Sequence, residues 1–423
     1  MLGDVRDARS VIAFGSGEQT PKILREGTHR AESLQKTLQH VSRLAPVMGI
    51  TRVANVTGLD PVGIPVVMVC RPNSRSVAVS QGKGTDLASA RASGLMEAAE
   101  SYHAETITLP LRLATYEELR YQHQVVEVGE LPRGRSSRFH PNLRLLWCEG
   151  RDLFTSERVL VPYEMVHTNY TTPFPDGHGC FFASSNGLAS GNRLVEAISH
   201  GVCEVIERDA IALWKLRGGE KLDSNRIDLG SVDEPHCCEI LGKLLRAGLA
   251  VALWDITTDI GLAAFACFIV PRDDRAMWHC SVAAGYGCHP TRHIGLIRAL
   301  TEAAQSRLTV ISGLRDDFRH EAYDETLDPD LVRLIRDRVI NSSPTRRFGD
   351  VPNWDGETFE ADVEWELECL KSVGIRRVVM VDLTKPEFAL PVVRMVVAGL
   401  EPDIGGSGYV PGRRGQRVIA ASA

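Results

Sequence analysis

Residues 185–208 read SNGLASGNRLVEAISHGVCEVIER, a small polar loop that runs into a stretch with one helical period. The spacing predicts a helix over about 193–216, with Asn192 as its cap. An α-helix advances about 100° per residue, so from Glu196 the wheel puts Glu207 at roughly 20°, His200 at roughly 40° and Glu204 at roughly 80°. Leu194, Ile198, Val202, Val205 and Ile206 fall at roughly 160–280° on the same wheel. One face therefore enters a core while the other displays carboxylates. Solvated helix faces usually alternate glutamate with lysine. Here no lysine stands between Asn192 and Trp214, and the only cations are Arg193 and Arg208. Gathered carboxylates repel one another and resist burial unless a cation sits between them.

A second stretch repeats the pattern. Gly82-Lys83-Gly84-Thr85 precedes a predicted helix over about 86–103, capped by Thr85, which carries Ser93 and then Glu97 and Glu100 one turn apart. Glycines let backbone N–H groups approach an anion, and a helix N-terminus with a lysine favours phosphate. The spacing is not that of a Walker loop. The loop at 183–192 is small and polar enough to wrap a ribose or base, and Asn192 offers an amide to a phosphate as readily as a cap to the helix. A divalent metal carrying a polyphosphate is the natural occupant between two such helices, and a nucleotide-using enzyme is expected. A third predicted helix, over 291–311, carries Arg298, Glu302 and Gln305 on one stripe, followed by Arg307. A surface salt bridge explains Arg298 and Glu302 equally well.

Elsewhere the chain alternates helical and strand periods. A helix is predicted over 31–44, from Leu34, Leu38, Val41 and Leu44, and strands over 51–57, 64–70 and 76–80. A hairpin is expected from 143–148 and 159–161, and one antiparallel sheet from 250–255, 262–270 and 277–284. Residues 313–356 read as a surface excursion, 357–372 as a helix, 378–382 and 392–397 as strands, and 404–408 as a loop-like tail. Long helices set against antiparallel strands give an α+β class. No repeat or linker divides the chain, so residues 1–50 are read as a helical extension and 51–423 as one catalytic domain.

Composition narrows the setting. The 423 residues are 43% hydrophobic and 24% charged, as in an ordinary globular protein. A net charge of −6 gives no support to a nucleic-acid partner or an anionic membrane. No apolar run approaches the ~20 residues a membrane span needs, and the first residues lack a signal peptide, so a cytoplasmic location is expected. Ten cysteines form no CxxC pair and read as free, mostly buried thiols, with a sulfur-handling role open for one of them. Gly405-Gly406-Ser407-Gly408 lacks the spacing of a nucleophile elbow. Glu100-Ser101-Tyr102-His103 fits one half of a di-iron carboxylate site, but the other helix offers Glu204-Val205-Ile206-Glu207 instead of a second ExxH.

The ordered blocks resemble those of the YcaO family. They are Gly82-Lys83-Gly84 with Ser93, Glu97 and Glu100; Ser185 to Asn192 with Glu196, Glu204, Glu207 and Arg208; and Leu300-Thr301-Glu302-Ala303-Ala304-Gln305-Ser306-Arg307. The similarity runs over roughly residues 52–400. It implies long helices packed on antiparallel sheets around a central ATP site, and an ATP- and Mg2+-dependent enzyme that modifies peptide backbone amides. In such enzymes a nucleophile adds to an amide carbonyl and the oxygen is phosphorylated and expelled. A Cys, Ser or Thr side chain then gives an azoline ring, and external sulfide gives a thioamide. Carried over by position, Glu97, Glu100, Glu196, Glu204 and Glu207 would hold magnesium and the phosphates. Lys83, Ser93, Asn192, Arg208 and Arg307 would contact ATP, with Arg52 at the phosphate end. Glu204, Glu207 and Arg208 would form the catalytic centre.

Three departures bear on subclass. Glu100 is followed by Ser101 where many members have arginine, residues 413–423 lack a proline-rich ending, and no fused leader-peptide-binding domain is evident. The last two resemble stand-alone members that act with a TfuA-type partner. The expectation is thioamide formation in a ribosomally made peptide or protein, with a TfuA-like partner, a precursor peptide and a sulfide donor. Azoline-forming cyclodehydration is the alternative within enzymes, and a non-catalytic peptide-recruiting scaffold the alternative outside them. A homodimer is the default assembly.

Overall fold

The computed structural model describes residues 19–221, 224–273, 282–315, 328–402 and 408–422. Cys280, the first part of the strand predicted over 277–284, and most of the tail at 404–408 lie outside them. Helix α1 (Leu34–Leu44) is capped by Ser33 and leads to β1 (Arg52–Asn55), β2 (Val66–Cys70) and β3 (Val79–Lys83), a sheet ordered β1-β2-β3. Helix α2 (Leu87–Glu105) follows at once and lies across β2 and β3. Its cap is Asp86, whose carboxylate accepts the Ser89 N–H at 2.7 Å, in place of the predicted Thr85. The predicted strand at 76–80 sits a few residues later, so Gly82 and Lys83 end a strand and are not a phosphate-cradling loop. Gly82 has a packing role: a Cβ there would overlap the Ala90 carbonyl and the Gly94 nitrogen of α2. Helix backbone rests directly on strand backbone.

Next come β4 (Arg112–Thr115), the single turn α3 (Tyr116–Leu119), β5 (Arg133–Gly134), the predicted hairpin β6 (Arg144–Asp152) and β7 (Arg158–Pro162), and β8 (Leu188–Ser190). Helix α4 (Leu194–Arg217) has Arg193 at its cap position, one residue past the predicted Asn192, and is buried along most of its length. After α5 (Pro235–Arg246), strands β9 (Leu249–Asp255), β10 (Ala263–Pro271) and β11 (Ala283–His289) form a sheet ordered β11-β10-β9. Every residue of β9 and β10 is buried. On one side, Leu253, Phe265 and Cys267 pack with Leu244 of α5 and with Leu296 and Leu300 of the helix that follows β11. On the other, Trp254, Ala266 and Phe268 pack with Ile198 and Trp214 of α4. Cover on both faces explains why these strands read as near-continuous apolar runs.

Helix α6 (Arg292–Ser312) lies on β11 as α2 lies on β3. Gly285 and Gly287 alternate along β11, and a Cβ on either would overlap the α6 backbone. The excursion predicted over 313–356 contains a further helix, α7 (Pro329–Asn341). Then follow α8 (Phe359–Ser372), β12 (Val379–Asp382), β13 (Val392–Val396), β14 (Tyr409–Val410) and α9 (Arg413–Ser422). The largest sheet runs β4-β6-β12-β13-β8, with β7 on β6; β14 pairs with β5. Every strand ladder among the described residues is antiparallel.

Helix α9, absent from the sequence reading, is fixed to α4. Arg414 donates from Nε to both Asp209 oxygens, at 2.9 and 3.1 Å, and its Nη atoms reach Asp259. The segment before α1 is tied down as well, by a buried Lys22–Asp362 ion pair of 2.7 Å. No described helix is long and apolar enough to cross a membrane.

Candidate active site

Each of the three larger sheets ends in a strand whose outer edge turns toward one cavity: β3, β8 and β11. An outer strand leaves alternate backbone N–H groups without a ladder partner. Here those groups hold carboxylates. Gln81 N–H donates to Glu97 Oε1 at 3.4 Å, and Ser190 N–H to Glu100 Oε1 at 2.9 Å, backed by the Ser190 hydroxyl at 2.7 Å. Cys288 N–H donates to Glu207 Oε2 at 2.9 Å, and Tyr286 N–H to Glu302 Oε1 at 3.2 Å. Helices α2, α4 and α6 thus present their glutamates where three sheets converge.

The cavity measures about 900 Å³. Of the eleven predicted site residues it is lined by Lys83, Ser93, Glu97, Glu100, Glu204, Glu207 and Arg208. His200, Arg298, Glu302, Gln305 and Arg315 join them. Burial pushes the Glu97 carboxyl up to about 7, despite Arg315, the Gln81 N–H and Lys83, with Glu204 adding repulsion. Burial also lifts Glu100 to about 8, despite the Ser190 hydroxyl, and Glu97 and Glu204 reinforce the shift. Glu204 is raised too, by burial first, with Arg208 opposing and Glu207 adding to it. Burial acts the same way on Glu302, but Lys83 and Arg208 outweigh it and hold that carboxyl low. His200 stays far below the usual imidazole range through burial and Arg298, whose Nη1 lies 3.2 Å from its Nε2.

Four predicted residues stand elsewhere. Asn192 lines an adjoining pocket of about 90 Å³ with Arg30, Ser89, Thr37, Lys83 and Arg298. Glu196 sits behind it, at the start of α4. Its carboxylate accepts the Asn192 N–H at 3.0 Å, the Asn192 amide, and the Ala31 N–H at 3.3 Å, and Arg30 reaches it at 3.4 Å. Arg307 does not enter the cavity, because two residues beyond Gln305 the helix has turned by about 200°. It is buried against Asp60, Nε to Oδ2 at 2.8 Å, and braces the turn at Thr57–Leu59. Arg52 is exposed on β1, separated from β3 by β2. His103 rules out the di-iron reading at its ExxH half: it is fully buried, bonds the Ala99 carbonyl at 2.7 Å, and packs on Phe388.

Glu302 and Arg298, a stripe that a surface salt bridge explains equally well from sequence, line the cavity together with Gln305, His200 and Arg315, none of them assigned to the site beforehand. A signal was present for the first two: their stripe lies on a helix rich in Gly295, Ala299, Ala303 and Ala304, which permit close packing and leave little room for a solvated face. All nine described cysteines are free thiols; Cys238 is exposed, and Cys203 and Cys288 are buried beside the site.

The donor set is all carboxylate oxygen, flanked by lysine and arginine, which suits magnesium and phosphate and not a softer metal. Among the described residues no three His, Cys, Asp or Glu side chains are gathered around one point. Magnesium requires fewer: it is held through one or two carboxylates, with water and substrate phosphates completing its octahedron. Burial first, and the neighbouring carboxylates after it, raise Glu97, Glu100 and Glu204.

Comparison with known proteins bears on the family and the fold. Residues 81–401 match the family model described as YcaO cyclodehydratase, ATP- and Mg2+-binding. A Rhizobium leguminosarum bv. trifolii protein encoded in the tfuA 3′ region is 36% identical over 376 residues, covering 88% of each chain. An uncharacterized Methanothermobacter thermautotrophicus protein is 35% identical over 379 residues, 86% of this chain and 93% of its own. Among solved structures, a heterocyclase in complex with substrate and cofactor superposes with a TM-score of 0.76 at 24% identity. That match covers 95% of this chain, which spans only 56% of the heterocyclase. YcaO from Methanopyrus kandleri bound with AMPPCP and Mg2+ gives 0.71 at 23% identity, over 90% of this chain and 94% of the other.

Proposed function

This chain belongs to the YcaO family, and from that premise we propose that it uses ATP and magnesium to activate the oxygen of a peptide backbone amide, ending in a thioamide. One observation carries the reading: carboxylates from α2, α4 and α6, each oriented by an edge-strand N–H, face one cavity with Lys83, Arg208, Arg298 and Arg315. Magnesium-bound ATP would supply the phosphoryl group that turns an amide oxygen into a leaving group. Glu97, Glu100, Glu204 and Glu207 would hold the metal ions through the carboxylate oxygens that face the cavity. Lys83, Arg208, Arg298 and Arg315 would neutralise phosphate charge, since phosphoryl transfer depends on positioning and electrostatics more than on covalent help. Ser93 and Asn192 line the pocket beside Lys83, suited to the nucleoside end, and Glu196 orients Asn192 and Arg30 there.

Similarity to the protein of the tfuA 3′ region supports a sulfide-using reaction with a TfuA-like partner on a precursor peptide or protein. A second reading, azoline formation from Cys, Ser or Thr, is favoured by the cyclodehydratase description of the family and the likeness to a heterocyclase. Both reactions need ATP, which suits the cytoplasmic location we propose, and a scaffold role would not need the cavity carboxylates at all. Mass spectrometry of a peptide treated with enzyme, ATP, Mg2+ and sulfide separates them. Exchange of oxygen for sulfur raises the mass and supports thioamidation; loss of water supports cyclisation; an unchanged peptide with no ATP turnover supports the scaffold.

A further inference from the structure

Glu302 is held the way the assigned carboxylates are held. Glu97, Glu100 and Glu207 each give one oxygen to an outward N–H of an edge strand, on β3, β8 and β11. Glu302 gives Oε1 to Tyr286 N–H, two residues along β11 from the N–H that holds Glu207. Side chains and amides two apart on a strand point the same way, so the two glutamates of different helices are aimed from one edge into one cavity. The other oxygen of Glu302 forms an ion pair with Lys83, which also lies 3.4 Å from Gln305. Arg208 adds a second favourable charge.

We infer that Glu302 is a further magnesium-facing carboxylate of this site, one whose charge Lys83 balances in this structure. The inference rests on the magnesium–nucleotide reading given above. Lys83 has two claimants, the Glu302 carboxylate and a nucleotide phosphate, and both bind it by charge. If phosphate took Lys83, Glu302 Oε2 would lose its counter-ion in a buried, carboxylate-rich cavity, a charge that a divalent cation would offset. Lys83 would then pass from glutamate to phosphate, and Glu302 would be the carboxylate left to hold a divalent cation.

The test is calorimetric titration of the full chain with a non-hydrolysable ATP analogue, once in EDTA and once in excess Mg2+. Wild type is expected to bind far more tightly with the metal. Glu302→Gln removes a negative charge and frees Lys83, so binding in EDTA should be as tight as in wild type or tighter. The gain from Mg2+ should shrink about tenfold or more, the scale of losing one supporting group at a metal. Glu302→Asp, which keeps the charge, should retain more of that gain than Gln. A magnesium gain equal to wild type in Glu302→Gln, or a parallel loss with and without metal, overturns the assignment. Should the Gln variant fail to fold, Glu302→Ala is judged by the same two titrations. Absence of magnesium-dependent binding in the wild type would overturn the underlying reading instead.

Discussion

Glu97 and Glu100 bind a proton more tightly in the folded chain than out of it, since burial raises them from an ordinary value of 4.5 to about 7 and about 8. A raised carboxyl favours folding at low pH, and that contribution is lost as pH rises from the unfolded value through the folded one. Metal-free protein should therefore lose stability between about 4.5 and about 8. Melting curves across that range should show a smaller alkaline loss in Glu97→Gln and Glu100→Gln. Excess Mg2+ with nucleotide should raise the melting temperature most at the alkaline end, where protons no longer compete for the carboxylates. A wild-type melting temperature that does not fall across the window would contradict this. At this scale the helical wheel made Glu204, Glu207, Glu97 and Glu100 legible, because a 3.6 period leaves few directions for a side chain. The family block set Gln305 and Arg307 side by side because a motif lists residues in order, while the helix points them about 200° apart. Glu196 shares the wheel direction of Glu207 but lies about three turns nearer the start of α4, where Asn192 and Ala31 N–H groups take up its carboxylate.

Strand β3 and helix α2 touch backbone to backbone at Gly82, and β11 meets α6 in the same way at Gly285 and Gly287. Glu97 and Glu302 owe their reach to this closeness, because the N–H groups that hold them belong to those strands. Gly82→Ala should destabilise the chain by about 1–3 kcal/mol or more, the usual scale of overpacking, and weaken Mg2+–nucleotide binding. Gly58→Ala, whose Cβ would meet nothing within 4 Å, should do neither. Chemical denaturation of the pair measures this, and equal stability of the two variants would count against it. On the far side of α4, Arg414→Met should leave Asp209 buried without its charge partner and cost about 3–5 kcal/mol. Asp209 follows Glu207 by two residues, so nucleotide affinity should fall as well; unchanged stability would deny α9 its anchoring part. Buried strands were legible as elements because double cover makes them apolar throughout. The end of β3 was not, since Gly-Lys-Gly reads as a turn until a helix is seen lying on it, and α9 carries too few apolar residues to announce itself.

Across the whole molecule, three sheets separated in sequence bring their outer strands to one cavity, and no local pattern encodes that meeting. The α+β class and the pairing of two glutamate-bearing helices could be read from the chain. Their convergence with α6, and the edge-strand amides that orient the carboxylates, could not, because both depend on contacts between residues as distant as Lys83 and Glu302. The central claim is that these converging carboxylates bind a nucleotide through magnesium. It is tested most directly by calorimetry of wild type, Glu204→Gln and Glu207→Gln with a non-hydrolysable ATP analogue, with and without Mg2+. The account predicts metal-dependent binding in wild type and its loss in both variants, with melting temperatures preserved. Full magnesium-dependent binding in both variants would contradict it.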